Sequence, residues 1–563
     1  MTAVAAANAL SCQQMGTATP KGTIGGRSAG LILAAIMVGC VLLRLPALHW
    51  LTDAGNSPDF SFHPDVGQFI TGAQDIKAPN PVGYPEGLVT HLYLLHKLLA
   101  PLTGAGYMQL LHSITIFYAA MIALLTYVTA RCWNMSRATA LLAAALWSIA
   151  PGAVVQSNFG TADLTAVFYF YAAVLSGGQY LRTGKSIWFV ALCALVGMAV
   201  AVKFFVPLFA PLFLVLAVQR REQMAASVLA AFFIVLGSFE MLSFFRYTPW
   251  DLHHLYWVLR DDNVYIAGGQ GPLGQLRSYS WRVVTAVGIP VALLLALGII
   301  RWLPSLRRSI PAIVSRAFSR DWRALVTPAT LFIAAFLLHA LLLLMAGALA
   351  VRHLLVFLPA ICIAASYMLL RLLEAGRVPV AVRWSIVAVI IGFQTYDSIA
   401  IESIFTHDIR NDVAAWTDKQ LADGKHVVAM MVYSAVRGST YDQDQNPLDL
   451  DKDSYIATCD LEYDRYMGEG SAEGIFHAVG GEPRLEFYRH VLKDGSSEFG
   501  IVREFVSEPA GVELRLIQRD KMAPLDASVP RRCFALGRSD QLPQDEQRRI
   551  RAELATIRNG NGW

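Results

Sequence analysis

The chain has 563 residues, 55% of them hydrophobic and only 16% charged, with a mean hydropathy of +0.45. A soluble globular protein carries about 25% charged residues, so a wholly soluble chain is excluded. The net charge of +4, with no arginine-rich arm and no zinc-finger spacing, speaks against a nucleic-acid partner.

The charge deficit is uneven. It lies between Leu31 and Ile401, whereas the sequence after Glu402 has ordinary globular content. Two solvents are therefore expected, lipid first and then water. Residues 1–28, rich in Ala, Gly, Ser and Thr at their start, form a disordered cytoplasmic N-terminus. Lys21 and Arg27 precede an apolar run from Leu31 to Leu48. The run continues into Arg44-Leu-Pro without a small-residue cleavage site, so it reads as a retained first helix.

Further apolar stretches follow near 108–130, 138–157, 161–181, 186–202, 204–219, 225–245, 282–302, 326–349, 351–371 and 383–401. Crossing a bilayer takes about 20 residues. The expected fold is a polytopic α-helical membrane protein of about 11 transmembrane helices over residues 29–402, with a soluble α/β domain over 403–563. Basic residues support this count. Lys21/Arg27, Arg131/Arg137, Arg182/Lys185, Arg220/Arg221, Arg301 to Arg323 and Arg371/Arg377/Arg383 fall at every second junction. Lys and Arg favour cytoplasmic loops, which places the N-terminus inside and the tail outside.

The remaining junctions face outward, and two are long, 49–107 and 246–281. In the first, the apolar segment from Leu88 to Leu99 is studded with His91, His96 and Lys97 and reads as an interfacial helix. Trp50, Tyr84, Tyr247, Trp250, Tyr256 and Trp257 suit the headgroup region. In the tail, a helix is expected from Asp408 to Ala422, with strands at His426 to Tyr433 and Gly511 to Ile517. Of the seven cysteines, Cys459 and Cys533 lie in this tail. They form either a disulfide, if the compartment is oxidising, or two free thiols. No cysteine or histidine spacing marks a metal site.

The first outer loop reads Asp59-Phe-Ser-Phe-His-Pro-Asp65 and then Tyr84-Pro-Glu-Gly-Leu. Acids and a histidine there fit either a solvated loop or a site at the bilayer surface. Charges at the membrane edge say more. Asp163 follows Asn158-Phe-Gly-Thr-Ala at the outer start of the fourth span, Lys203 sits between two apolar runs, and Arg352-His353 open the tenth. Such charges are costly unless they pair or bind something. Snorkelling accounts for either cation alone. Two outward cations with two carboxylates, Asp65 and Asp163, at one membrane level point instead to an anionic lipid phosphate bound beside a base.

These segments occur in an order that has a precedent. Phe62-His-Pro-Asp65, Tyr84-Pro-Glu-Gly-Leu, Thr161-Ala-Asp163, Val202-Lys203 and Arg352-His-Leu-Leu-Val-Phe-Leu-Pro359 together resemble the protein O-mannosyltransferase and aminoarabinose-transferase superfamily of GT-C glycosyltransferases. The start of the tail, Asp408 to Trp416 followed by Gly424-Lys-His-Val-Val, resembles the extracytoplasmic domain of bacterial members. Two departures stand out. The usual acidic pair after His-Pro is Asp65-Val66, and the usual Tyr-Pro-Pro is Tyr84-Pro85-Glu86.

The resemblance implies a multi-pass enzyme of the bacterial cytoplasmic (inner) membrane with its tail in the periplasm or outside the cell. It would move a sugar, with inversion, from a polyprenyl-phosphate-linked donor to a hydroxyl of a protein, lipid or glycan acceptor. Asp65 is the expected catalytic base. Lys203, Arg352 and His353 are expected to hold the donor phosphate. His63, Tyr84, Glu86 and Asp163 are expected to bind or orient substrate. No cofactor is firmly implied, and the lost second acid argues against a bound divalent metal. The glycines of Gly268-Gly-Gln-Gly-Pro272 belong to no strand–loop–helix motif, so a nucleotide site is rejected. The rival reading is a transporter or flippase, which mid-depth charges and broken helices would favour. A membrane scaffold presenting the tail would leave the outer acids unexplained.

Overall fold

A computed structural model describes residues 25–49, 64–76, 86–203, 206–219, 221–243, 272–301, 326–346, 351–375, 379–406, 408–429, 454–459, 499–506 and 532–538. His63, Tyr84, most of the second outer loop and the strand expected at Gly511 to Ile517 lie outside these residues.

The first half is a run of helices whose lengths follow from the apolar stretches. Helix α1 (Gly26–Arg44) is followed by α2 (Pro64–Gln74), α3 (Gly87–Thr103) and α4 (Tyr107–Cys132). Next come α5 (Arg137–Ser148), α6 (Pro151–Asn158), α7 (Asp163–Thr183) and α8 (Ser186–Lys203). Then α9 (Phe209–Ala217), α10 (Arg221–Leu242), α11 (Pro272–Val287) and α12 (Ile289–Arg301) lead to α13 (Pro328–Ala346), α14 (Leu358–Ala375) and α15 (Val380–Thr406). Five of these, α1, α4, α8, α10 and α15, are each long and apolar enough to cross a bilayer, and the bent pair α5–α6 would make a sixth. Leu31 and Leu42 on α1, Phe232 and Phe233 on α10 and Val389 on α15 are exposed. That is the pattern of helices whose outer faces meet hydrocarbon rather than water. The protein is a multi-pass integral membrane protein.

Close helix approach relies on small residues, as expected where lipid removes the hydrophobic drive between helices. At Gly197 of α8 an added Cβ would run into the Val235 carbonyl of α10 and lie 2.9 Å from Ser238 Cβ. At Gly152 of α6 it would lie 2.9 Å from Ala286 Cβ on α11. Trp147 is fully buried, and its Nε1 donates to the Ala119 carbonyl at 2.9 Å.

Three of the expected spans depart from simple rods. Residues 138–157 bend by 48° between α5 and α6. Pro151 opens α6 and has no N–H to continue the ladder. The carbonyls freed at this break are met by side chains. Arg44 donates to Ser148 O at 2.9 Å and Ser398 Oγ to Ile149 O at 2.6 Å. Residues 282–302 are interrupted at Gly288, where φ is +81°, and Gln394 Nε2 donates to Val287 O at 2.5 Å. Helix α15 therefore satisfies the backbone at both breaks, as the hydrocarbon interior demands. Of the expected span 204–219, the described residues hold the nine-residue α9, reached through a 3-10 turn at Val206–Leu208.

In the tail, α16 (Arg410–Ala422) precedes β1 (His426–Ala429), β2 (Ser454–Cys459), β3 (Phe499–Val506) and β4 (Arg532–Arg538). The sheet order is β1-β2-β4-β3, with β1 parallel to β2 and the other pairs antiparallel. Ile409, Val413 and Trp416 pack against Val427, Ala457 and Ala535. Asp408 accepts from the backbone N–H of Arg410 and from its guanidinium, each at 3.0 Å, with both side chains buried. The expected helix and first strand are present. Strands β2, β3 and β4 have too weak an alternation to stand out in the sequence.

Candidate active site at the open end of the α7–α8 hairpin

Helices α7 and α8 form an antiparallel pair closed by Gly184, whose φ of +66° suits the left-handed turn after α7. At about 1.5 Å per residue, helices of 21 and 18 residues run nearly equal lengths back from that turn. Their free ends carry Asp163, the first residue of α7, and Lys203, the last of α8. The hairpin thus delivers an acid and a base to one membrane level, while Arg182 and Lys185 mark the opposite one.

Asp163 and Lys203 form a direct ion pair. The carboxylate side chain is 5% exposed and the lysine 22%, so the pair opens on the lysine side. Arg352 and His353 lie within electrostatic reach of the same carboxylate. They sit on a 3-10 turn, Val351–Leu354, just before α14. The turn and the residues that follow it are tied at two carbonyls. His339 Nε2 of α13 is 2.8 Å from His353 O, and Tyr171 of α7 donates its hydroxyl to Val356 O at 2.9 Å.

The chain at Glu86-Gly87 reaches the end of α8. An added Cβ at Gly87 would lie 2.8 Å from both Ala201 O and Val202 Cγ2. The N-terminus of α3 therefore abuts the residues just before Lys203, and Glu86, 2% exposed, is buried next to that contact. Asp65 lies in the first turn of α2. Helix α2 packs along α3, burying Val66, Phe69, Ile70 and Ala73, with Gly72 set against Val89.

The loop into Asp163 is fixed from several sides. Asn158 Nδ2 donates to Glu402 Oε2 of α15 at 2.7 Å, with both residues buried. Gly160, with φ of +69°, turns against Leu111 and His112. Arg44, fully buried, donates through Nε to Ser157 Oγ at 2.8 Å, and Thr115 donates to Ser157 O at 2.8 Å.

The fold thus gathers Asp163, Lys203, Arg352 and His353, and buries Glu86 where α3 meets the end of α8. Sequence reasoning missed His339, Tyr171, Asn158 and Glu402. Only Glu402 carried a usable signal, as an acid at the end of an apolar run. Among the described residues no three His, Cys, Asp or Glu side chains gather as a metal site would require.

The chain is similar to the structure of ArnT from Cupriavidus metallidurans in the apo state, at 14% identity, covering 71% of this chain and 73% of that one, with a TM-score of 0.41. For the ArnT structure bound to undecaprenyl phosphate the values are 13%, 91%, 98% and 0.43. The oligosaccharyltransferase of Archaeoglobus fulgidus tethered with an acceptor peptide gives 12%, 85%, 73% and 0.44. No curated protein sequence matches the chain. Residues 108–224 match the family model described as dolichyl-phosphate-mannose-protein mannosyltransferase. That matched stretch carries both Asp163 and Lys203.

Proposed function

We propose that the protein transfers a sugar from a polyprenyl-phosphate donor to an acceptor hydroxyl at the outer face of a bacterial cytoplasmic membrane. In this reading eleven spans over residues 29–402 place the N-terminus inside and the domain at 403–563 outside. The observation that carries the proposal is the grouping of Asp163, Lys203 and Arg352 at the open end of one helical hairpin.

The residues fit the chemistry. A lipid phosphate is already a good leaving group, so no general acid is demanded. Its oxygens need cations that are in place before the bond breaks. Asp163 holds the Lys203 ammonium, and Arg352 presents a planar fork suited to a phosphate. His353 adds a weaker hydrogen-bonding group. Asp65, on the helix packed beside α3, takes the acceptor hydroxyl's proton, with inversion at the sugar carbon. Glu86 is a further candidate for binding or orienting substrate, as are His63 and Tyr84, which lie outside the described residues. The broken spans do not favour a transporter. Their freed carbonyls at Ser148, Ile149 and Val287 accept from Arg44, Ser398 and Gln394, so protein donors rather than a transported ion satisfy them.

Two substitutions test the phosphate site. Lys203→Met and Arg352→Met should each weaken binding of undecaprenyl phosphate to the purified protein, read by native mass spectrometry. Unchanged affinity in both overturns the assignment. Asp65→Asn should preserve that binding while transfer falls about 10²–10⁴-fold, the usual contribution of a general base. Asp59→Asn, in the same loop, should be much milder. Near-wild-type transfer by Asp65→Asn removes Asp65 from the mechanism.

A further inference from the structure

The 3-10 turn that carries Arg352 has little to hold it in place by itself. Such turns have poor hydrogen-bond geometry and rarely run beyond a few residues. Of its own backbone bonds, Leu355 N to Arg352 O is long at 3.4 Å, and Phe357 N to Leu354 O at 2.9 Å closes the turn. Two carbonyls of this stretch, His353 O and Val356 O, are met instead by side chains from other helices. A carbonyl can only accept, so His339 carries its hydrogen on Nε2 and donates.

Both donors are deep in the bundle. Tyr171 is fully buried and His339 is 8% exposed, with its ring 5.3 Å from that of Phe357 on the same stretch. Helix α7 therefore contributes twice. Its first residue is Asp163, and two turns further on its Tyr171 grips the segment bearing Arg352. Helix α13 supplies the second grip through His339.

We propose that His339 and Tyr171 are positioning residues. They fix the Val351–Leu354 turn so that the Arg352 guanidinium stands at the Asp163–Lys203 pair, ready for the donor phosphate. This rests on the reading of Arg352 as a phosphate ligand. Neither residue touches substrate. Each acts by denying the turn an alternative position, which it would find once a buried carbonyl lost its donor.

The test uses full-length purified protein and undecaprenyl phosphate as the probe. His339→Leu and Tyr171→Phe should each weaken binding about two- to tenfold, the range corresponding to one neutral hydrogen bond. His339→Gln places an amide N–H near the position of Nε2 and should restore binding. A double-mutant cycle separates positioning from general damage. If His339 acts through Arg352, then His339→Leu adds nothing in an Arg352→Met background. Full additivity in that cycle overturns the proposal. So does a lowered Tm with unchanged affinity in both His339→Leu and Tyr171→Phe. If His339→Leu fails to fold, Tyr171→Phe in the same cycle decides. If Arg352→Met itself leaves binding unchanged, the phosphate reading fails and the positioning role falls with it. If Arg352→Met weakens binding while His339→Leu and Tyr171→Phe do not, only the positioning role is wrong.

Discussion

A single methyl group at Gly87 probes the contact that brings the first outer loop to the lysine turn. An ideal Cβ there lies 2.8 Å from Ala201 O, 2.8 Å from Val202 Cγ2 and 2.9 Å from the Ala201 carbonyl carbon. Carbon atoms rest at about 3.5–4.0 Å, so α3 and α8 would have to separate by several tenths of an ångström. Two of the three obstructing atoms are backbone and cannot rotate aside. Overpacking of this kind costs about 1–3 kcal/mol. Alanine returns up to about 1 kcal/mol of helix propensity, so stability alone understates the clash. Gly39→Ala on α1 is the control, because its Cβ meets nothing within 4 Å. Gly39 lies inside α1 and Gly87 opens α3, so the propensity gain is larger in the control and the clash falls on Gly87 alone. Gly87→Ala should therefore be less stable than Gly39→Ala by about 1–3 kcal/mol in thermal unfolding of the purified protein. It should also bind undecaprenyl phosphate more weakly, because the displaced backbone leads directly into Lys203. Equal stability together with unchanged binding would refute the close α3–α8 contact and its coupling to Lys203.

Other expectations follow from the same packing. Arg44→Met removes the donor to Cys40 O, Ser148 O and Ser157 Oγ; leaving buried acceptors unmet should cost about 1–3 kcal/mol in thermal stability, and an unchanged Tm would deny Arg44 its role at the α5–α6 break. Glu402→Gln keeps an oxygen for Asn158 whereas Glu402→Leu does not; transfer should survive the first and fall in the second, and equal activity would detach that bond from the Asp163 loop. Reporter fusions after α15 should place the tail outside the cytoplasm, and an inward tail would sink the eleven-span count. The backbone register sets Cys459 directly opposite Cys533 across β2 and β4. Opposed residues on antiparallel strands have Cα separations of about 4.5–5.5 Å, within the span of a disulfide. Maleimide labelling of these two positions should therefore require prior reduction, and equal labelling without reductant would show free thiols.

Much of the membrane architecture was legible in the sequence by itself, because hydropathy and charge report the solvent around each segment. The apolar runs located α1, α4, α8, α10 and α15. Asp163 and Lys203 stood out as charges at the ends of apolar runs, and with Arg182 and Lys185 marking the junction between those runs, both charges fell at one membrane level. Only the tertiary structure decided what those charges meet. The bond between Asn158 and Glu402 spans 244 positions, and that between Ser398 and Ile149 spans 249. Neither pairing has a periodicity to read. The bend at Pro151 and the break at Gly288 are visible as residues, but whether a helix kinks or continues depends on whether a neighbour supplies the missing donors, as α15 does through Ser398 and Gln394. His339 looks like one polar residue in an apolar helix until the carbonyl of His353 is placed against it. Composition reports burial in lipid or water, whereas hydrogen-bond partners inside the bundle depend on directional contacts between helices distant in the chain, which hydropathy does not encode.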